Sequence, residues 1–156
     1  MSLSNFADGK KHIIFDFDET IAWVHIDWGT YTTAVREYFE TKDNALYYTS
    51  RYRDILEVES VFIEKYGESA RTDLKAITQP IELAYTSFEE NFEATTFIKN
   101  NVDTYTFYIW SSNHKETILE VLSKLGLRNY FKVIVSKDDV AYVKPDRSGF
   151  DIITQD

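Results

Sequence analysis

The sequence predicts an α/β fold, in which a parallel sheet forms the core and a helical segment is inserted into it. An apolar strand near the start, His12–Phe15, leads directly into acidic residues. Residues 104–135 then show the strand, helix, strand order of a βαβ unit, which implies a parallel sheet with a right-handed crossover. Between these regions, apolar residues recur at spacings of three and four, as is typical of amphipathic helices.

The first strand ends in a pair of carboxylates. In the stretch KKHIIFDFDETI, Asp16 and Asp18 are two residues apart. Alternate residues of an extended chain share a side, with backbones roughly 6 to 7 Å apart, so both can face one ion or substrate. Oxygen ligands suit Mg²⁺, and a carboxylate can also act as a covalent nucleophile. The alternative interpretation is an ordinary acidic turn after a strand, because Asp and Thr are common turn residues.

Residues 23–100 are predicted to form a helical insert, and residues 1–22 with 101–156 to form the core. One predicted helix ends at Gly67, a short helix covers Thr72–Thr78, and Pro80 is placed in the first turn of a helix that continues to Phe92. Phe92–Lys99 forms a further predicted helix. Ala22–Gly29 is apolar and aromatic without a clean period, and we interpret it as a strand-like excursion from the first strand. From Thr30 to about Asn100 we expect no strands.

The second half of the core begins with a predicted strand at Thr104–Trp110. The predicted helix Lys115–Leu125, stopped by Gly126, and the strand Phe131–Val135 follow it. In such sheets ligands gather at the carboxyl ends of the strands. This edge would carry the acidic pair and the polar residues after the second strand, namely Ser111, Ser112 and Asn113. The segment after Val135 leads to the same edge, so Lys144 could neutralise an anion there.

Composition excludes several classes of function. The chain of 156 residues has a net charge of −9 at pH 7, which argues against nonspecific binding to nucleic acid or to an anionic membrane surface. It contains no cysteine, and no apolar run approaches the 18 or so residues of a membrane span. We therefore expect a cytoplasmic enzyme or binding domain with no membrane or nucleic-acid partner.

Three ordered motifs resemble those of the haloacid dehalogenase-like hydrolases, in the phosphatase branch with a helical cap (phosphoglycolate phosphatase-like). The first is the pattern Asp-x-Asp-x-Thr at Asp16–Thr20, and the second is the strand that ends at Ser111. The third is Lys144, followed by Pro145 and Asp146. The resemblance covers nearly the whole chain, and it implies a Rossmann-like core in which the helical insert is the cap.

The resemblance also implies roles for these residues. Asp16 would be the nucleophile that forms an aspartyl-phosphate, and Asp18 the general acid and base. Ser111 would bind a phosphoryl oxygen, with Ser112 and Asn113 in the same loop. Lys144 would balance the charge of nucleophile and phosphate. Mg²⁺ would be held by the carboxylate of Asp16 and the main-chain carbonyl of Asp18, while Thr20 would help to fix the turn.

One feature departs from the family pattern. Relatives carry a fourth motif of acidic metal ligands after a further strand, whereas only 12 residues follow Lys144 here. We therefore expect a core that is incomplete at its C-terminal end, with weak Mg²⁺ binding. The missing strand would leave His12–Phe15 as an exposed edge, so self-association through that strand is also expected.

The favoured function is a Mg²⁺-dependent phosphatase that hydrolyses a small phosphorylated metabolite. One alternative is a catalytically weak or inactive relative that serves as a binding or interaction protein. Another is a phosphotransferase or mutase of the same family, which would pass the phosphoryl group to a sugar. The short C-terminal segment favours the inactive relative, whereas the presence of Asp16, Asp18, Ser111 and Lys144 favours catalysis.

Overall fold

A computed structural model of the protein describes residues 3–49 and 54–155. The first elements are a short helix and a strand, followed by a second strand and three helices. A third strand, a helix, and the predicted strand, helix, strand unit come next, and a final helix closes the order. They are α1 (Leu3–Ala7), β1 (His12–Phe15), β2 (Ala22–Val24), α2 (Trp28–Thr49), α3 (Ile55–Tyr66), α4 (Glu68–Leu83), β3 (Phe88–Glu90), α5 (Phe92–Asn100), β4 (Thr106–Trp110), α6 (Lys115–Lys124), β5 (Phe131–Val135) and α7 (Ser148–Thr154).

The core sheet is parallel, as predicted, with the strand order β1-β4-β5. Its register pairs His12 with Thr106 and Phe15 with Ile109, so the carboxyl ends of β1 and β4 lie side by side. Among the described residues, β1 pairs only with β4 in this sheet and is therefore an edge strand.

Both faces of the sheet are covered by helices. On one face, Ile13, Phe15 and Phe107 pack in a cluster with residues of α6, such as Ile118 and Leu122. On the other, Tyr108 of β4 and Val135 of β5 pack with Ile153 of α7. Burying one such large apolar side chain contributes ~1.5–3 kcal/mol, so these clusters hold the strand ends in fixed positions.

Helices α2, α3 and α4 share a separate apolar cluster. Four of its members come from the three- and four-residue repeats of the sequence, namely Tyr31, Val35, Phe39 and Phe62. Val58 and Leu74 complete the cluster. The rings of Phe39 and Phe62 stack with their centroids 3.9 Å apart. Helix α3 begins after Asp54, whose side chain accepts the Leu56 N–H, and it ends at Gly67 as predicted.

Two predictions within residues 23–100 are wrong. Pro80 does not start a helix but lies in the last turns of α4, where the chain continues without a break from Glu68 to Leu83. The region after α4 is not helical, because Phe88–Glu90 forms β3 and pairs antiparallel with β2. The apolar spacing of Phe88 and Phe92 suggested a helix, but the hydrogen bonds offered by β2 favour a strand.

The last part of the predicted insert packs with the core. Phe97 and Ile98 of α5 belong to the cluster beneath the sheet, and the Asn91 N–H donates to the carbonyl of Ile21. We therefore propose that the cap is confined to α2–α4, and that the β2–β3 hairpin and α5 belong to the core. In the described part of the chain, no helix has both the length and the apolar character needed to cross a membrane.

Candidate active site

The acidic pair lies in a tight turn directly after β1. The Ile21 N–H donates to the carbonyl of Phe17 at 2.8 Å, and Phe17 and Ile21 are fully buried. The hydrogen bond and the two buried side chains anchor the turn, while the carboxylates of Asp16 and Asp18 remain partly exposed. Glu19 adopts a φ of 58°, a left-handed conformation that costs a non-glycine residue about 1–2 kcal/mol. The turn is therefore held in a fixed shape by the core below it.

The two carboxylates have different surroundings. Oδ1 of Asp16 accepts the N–H of Phe17 at 2.7 Å. Oδ1 of Asp18 accepts the N–H groups of Glu19 and Val24, at 3.1 and 2.9 Å, so it is anchored to β2. Burial raises the pKa of Asp18 above the ordinary aspartate value, although these N–H groups oppose the change. A raised pKa favours proton donation by Asp18.

Lys144 reaches Asp16 from the far end of the chain. Its Nζ lies 2.5 Å from Oδ2 of Asp16 and 3.2 Å from the carbonyl oxygen of Trp110. The ammonium group also lies 5.9 Å from the centre of the Trp110 ring. Lys144 therefore links the loop after β5 to the ends of both β1 and β4.

The loop after β4 is closed by its own hydrogen bonds. The Ser111 hydroxyl donates to Oδ1 of Asn113 at 2.8 Å, and it accepts the Asn113 N–H at 3.1 Å. The Ser111 N–H donates to the carbonyl of Val135 at the end of β5. Both side chains are buried and Ser112 between them is half-buried, so this loop is a rigid, polar wall.

One cavity of about 250 Å³ brings these residues together. All six residues predicted from the sequence line it, and two cap residues complete the lining: Asp16, Asp18, Ser111, Ser112, Asn113, Lys144, Trp28 and Leu56. A larger cavity of about 340 Å³ lies between α3 and residues 142–146. It shares Lys144 but contains neither carboxylate of the acidic pair, so the smaller cavity is the candidate active site.

The sequence model of the haloacid dehalogenase-like hydrolases matches residues 13–155, which is nearly the whole chain. The chain belongs to this family. No curated protein matches it.

Solved structures of haloacid dehalogenase-like hydrolases share the fold. A structure described as a haloacid dehalogenase-like hydrolase from Bacteroides fragilis aligns with a TM-score of 0.60 and 16% identity, over 93% of this chain and 71% of its own. A predicted phosphoglycolate phosphatase from Haemophilus somnus aligns with a TM-score of 0.55 and 11% identity, over 93% of this chain and 70% of its own. The magnesium-bound YfnB of Bacillus subtilis aligns with a TM-score of 0.52 and 18% identity, over 93% and 71%.

The site offers two oxygen donors of the kind a haloacid dehalogenase-like hydrolase would use for Mg²⁺. They are the carboxylate of Asp16 and the main-chain carbonyl of Asp18, and hard oxygen ligands suit this ion. Within residues 3–49 and 54–155, no three His, Asp or Glu side chains form a cluster that could hold a metal. With only these two protein donors, a Mg²⁺ ion would have to take its remaining ligands from water or phosphate oxygens.

A buried ionic network fastens the cap to the core beside the site. Nζ of Lys137, just after β5, lies 2.7 Å from Oε2 of Glu59 in α3 and 2.6 Å from the Tyr31 hydroxyl in α2. The Tyr31 hydroxyl in turn donates to Oε1 of Glu59 at 2.6 Å. Burial and the neighbouring Glu59 carboxylate raise the pKa of Tyr31, so this hydroxyl stays protonated.

His114 forms a second part of the same interface, one residue after the serine loop. Its Nε2 lies 2.8 Å from the Thr78 hydroxyl of α4, and its Nδ1 lies 3.0 Å from Oδ1 of Asp138. Its backbone N–H donates to Oε1 of Glu82, also in α4, and burial raises the pKa of this carboxyl. The loop that carries Ser111 and Asn113 is thus tied to the cap.

Sequence reasoning did not identify these cap and interface residues as parts of the site. Trp28 and Leu56 stand in the cap, where the family has no shared motif, and nothing in their spacing distinguished them from packing residues. Lys137 and His114 did carry a signal, because each follows a core strand at the edge where ligands gather. Within the 3.6-residue repeat of α3, Glu59 is a charged residue at an apolar position, which also indicates a buried partner.

Proposed function

We propose that this chain is a Mg²⁺-dependent phosphatase that hydrolyses a small phosphorylated metabolite through an aspartyl-phosphate intermediate. The observation that carries the proposal is the meeting of Asp16, Asp18, Ser111 and Lys144 around one cavity. Family membership supports hydrolase chemistry, and one structural relative is named as a predicted phosphoglycolate phosphatase. The cavity volume lies below the ~300–1,000 Å³ of typical ligand pockets, which suits a small substrate.

In the first step, a carboxylate oxygen of Asp16 attacks the phosphorus atom of the substrate. The bond between phosphorus and the leaving oxygen breaks, and Asp18 gives its proton to that oxygen, so that an alcohol departs. The raised pKa of Asp18 suits this donation. General acid catalysis typically makes a reaction ~10²–10⁴-fold faster. The product on the enzyme is the aspartyl-phosphate of Asp16.

In the second step, Asp18, now ionised, takes a proton from a water molecule. The water oxygen attacks phosphorus, the bond to Asp16 breaks, and inorganic phosphate leaves with both carboxyl groups restored to their starting states. The hydrogen bonds from Glu19 and Val24 hold Asp18 in place for both transfers. Because the turn is anchored by buried residues, little reorganisation is needed between the steps.

The other residues bind and orient the phosphoryl group. Lys144 supplies a positive charge beside Asp16, so that the negatively charged phosphate of the substrate can approach the Asp16 carboxylate. The hydroxyl of Ser111 would turn from Asn113 to a phosphoryl oxygen. Asp16 and the Asp18 carbonyl would hold Mg²⁺, which supplies further positive charge for the phosphoryl oxygens when it is bound.

The proposal is tested by measuring hydrolysis of 4-nitrophenyl phosphate with Mg²⁺ by the wild-type chain and by Asp16→Asn. We expect hydrolysis by the wild type and its loss in Asp16→Asn, because an amide is not a nucleophile for phosphorus. The exposed aspartate variant Asp103→Asn serves as the matched control and should retain full activity. Equal rates for Asp16→Asn and the control would contradict the proposed nucleophile.

A further inference from the structure

The cavity has two chemically different walls. The core supplies its charged and polar residues at the ends of β1, β4 and the loop after β5. The cap supplies Trp28, the first residue of α2, and Leu56, in the first turn of α3. If the core wall holds the phosphoryl group, then the cap wall is left to contact the alcohol part of the substrate.

The Trp28 ring is held as a rigid platform. Asp27 accepts the N–H and the hydroxyl of Thr30, at 3.0 and 2.7 Å, which fixes the first turn of α2 around Trp28. The indole packs on the ring of Tyr31 with centroids 5.1 Å apart. Tyr31 is itself fully buried and bonded to Glu59 and Lys137, so the ring beneath Trp28 cannot easily move.

The ring is nevertheless available to a ligand. Trp28 is 41% exposed although it lines the cavity and is among the largest apolar side chains of the cap. An exposed tryptophan at the mouth of a polar site gains contact area when an apolar group covers it. Leu56 is also held at a helix start, because its N–H donates to Asp54 at 2.8 Å, and it extends the same apolar wall.

We propose that Trp28 and Leu56 select the substrate, and that its leaving alcohol carries a small apolar or aromatic group that packs against the Trp28 ring. This inference rests on the proposed function, because it assumes that the phosphoryl group lies on the core side of the cavity. It adds the substrate class, namely monoesters with an apolar or aromatic alcohol, and assigns their recognition to two cap residues.

Binding of two phosphonates, which cannot be hydrolysed, tests the inference separately from catalysis. Benzylphosphonate and methylphosphonate carry the same charge and differ in the apolar group, so the ratio of their Kd values, measured by isothermal titration, reports the contact with the cap. We expect benzylphosphonate to bind roughly tenfold more tightly to the wild type. In Trp28→Ala the ratio of the Kd values should fall to about one. In Trp28→Phe most of the preference for benzylphosphonate should remain, because an aromatic ring is still present.

Trp23→Ala is the matched control, because Trp23 has nearly the same exposure, 40%, but does not line the cavity. Its ratio should equal that of the wild type. Equal affinities for the two phosphonates, or an unchanged ratio in Trp28→Ala, would overturn the role of Trp28. Tight binding with the expected ratio but no Asp16-dependent hydrolysis would contradict the proposed function alone, and no binding of either phosphonate would contradict both.

Discussion

Lys144 and Asp16 are separated by 128 residues in the sequence, yet Nζ of Lys144 lies 2.5 Å from Oδ2 of Asp16. The contact joins the loop after β5 to the end of β1, so it forms only when the parallel sheet is assembled. The ion pair holds the carboxylate of Asp16 in place at the end of β1. It also places a positive charge where a phosphate would bind.

Replacing Lys144 with methionine should therefore lower phosphatase activity. We expect kcat/KM for an aryl phosphate to fall by about 10²–10³-fold, the typical cost of removing one charge-stabilising donor from an active site. Steady-state kinetics of Lys144→Met measure the effect, and Lys99→Met, which removes an exposed lysine of α5, is the control. A rate for Lys144→Met within twofold of the control would contradict the assigned role.

Asp18→Asn should lose activity but gain stability at neutral pH. Burial raises the pKa of Asp18 above its unfolded value of 3.8, so the folded protein holds this proton more tightly than the unfolded chain does. The ionised form thus lowers stability at pH 7, and this penalty disappears as the pH falls below 3.8. Thermal unfolding should show a higher Tm for Asp18→Asn at pH 7 and a smaller difference near pH 3.5.

Asp27→Asn is a control in which the Tm at pH 7 should change in the opposite direction. Hydrogen bonds from the N–H and hydroxyl of Thr30 hold the pKa of Asp27 below its ordinary value, so ionised Asp27 stabilises the fold above pH 3.8. That contribution is lost as the pH falls through the folded pKa. The Tm of Asp27→Asn should therefore be lower than that of the wild type at pH 7. A fall in Tm for both variants at pH 7 would contradict the raised pKa assigned to Asp18.

The buried pair Lys137–Glu59 should contribute strongly to holding the cap on the core. Lys137→Met leaves the Glu59 carboxylate buried without its cation, a change that typically costs ~3–5 kcal/mol. Lys124→Met, which breaks the exposed pair with Glu120 at 2.7 Å, should cost less than about 1 kcal/mol. Urea unfolding measures both free energies.

A double variant separates the loss of the pair from damage to packing. Removing both charges, in Lys137→Met with Glu59→Gln, should recover much of the stability lost in Lys137→Met, because no unpaired buried charge remains. Equal costs for Lys137→Met and Lys124→Met would show that the buried pair does not hold the cap.

The free edge of β1 leads us to expect self-association. In the described part of the chain this strand pairs only with β4, and unpaired strand edges readily add another strand. Light scattering should show a mass that increases with concentration, and His12→Lys should reduce it by placing a charge at the edge. His25→Lys, on the exposed β2–β3 hairpin, is the control. A constant monomer mass at high concentration would contradict this expectation.

The sequence was sufficient to predict the sheet and the core of the site, because both depend on local patterns. The strand His12–Phe15 and the βαβ unit have clear apolar runs, and the topology of a parallel sheet then brings Asp16, Ser111 and Lys144 to one edge. The structure places all three around the same cavity.

The remaining features depend on contacts between distant segments. The strand Phe88–Glu90 forms because β2 offers it hydrogen bonds, and a three-residue strand has too few residues to show a period of its own. Trp28 lies at the site on a helix that Tyr31 ties to Lys137, a contact across 106 residues that no local pattern encodes. The predicted helix that ends at Gly67 includes Tyr52 in its apolar repeat, and Tyr52 lies outside the described residues.

Covalent catalysis by Asp16 is tested most directly by a search for the aspartyl-phosphate itself. Asp18→Asn should still let Asp16 attack 4-nitrophenyl phosphate, whose leaving group needs little protonation, but it lacks the base for the second step. With Mg²⁺ and this substrate, intact-mass spectrometry of Asp18→Asn should therefore show one added phosphoryl group, and the double variant Asp16→Asn with Asp18→Asn should show none. No added mass in Asp18→Asn, or the same added mass in the double variant, would contradict covalent catalysis by Asp16.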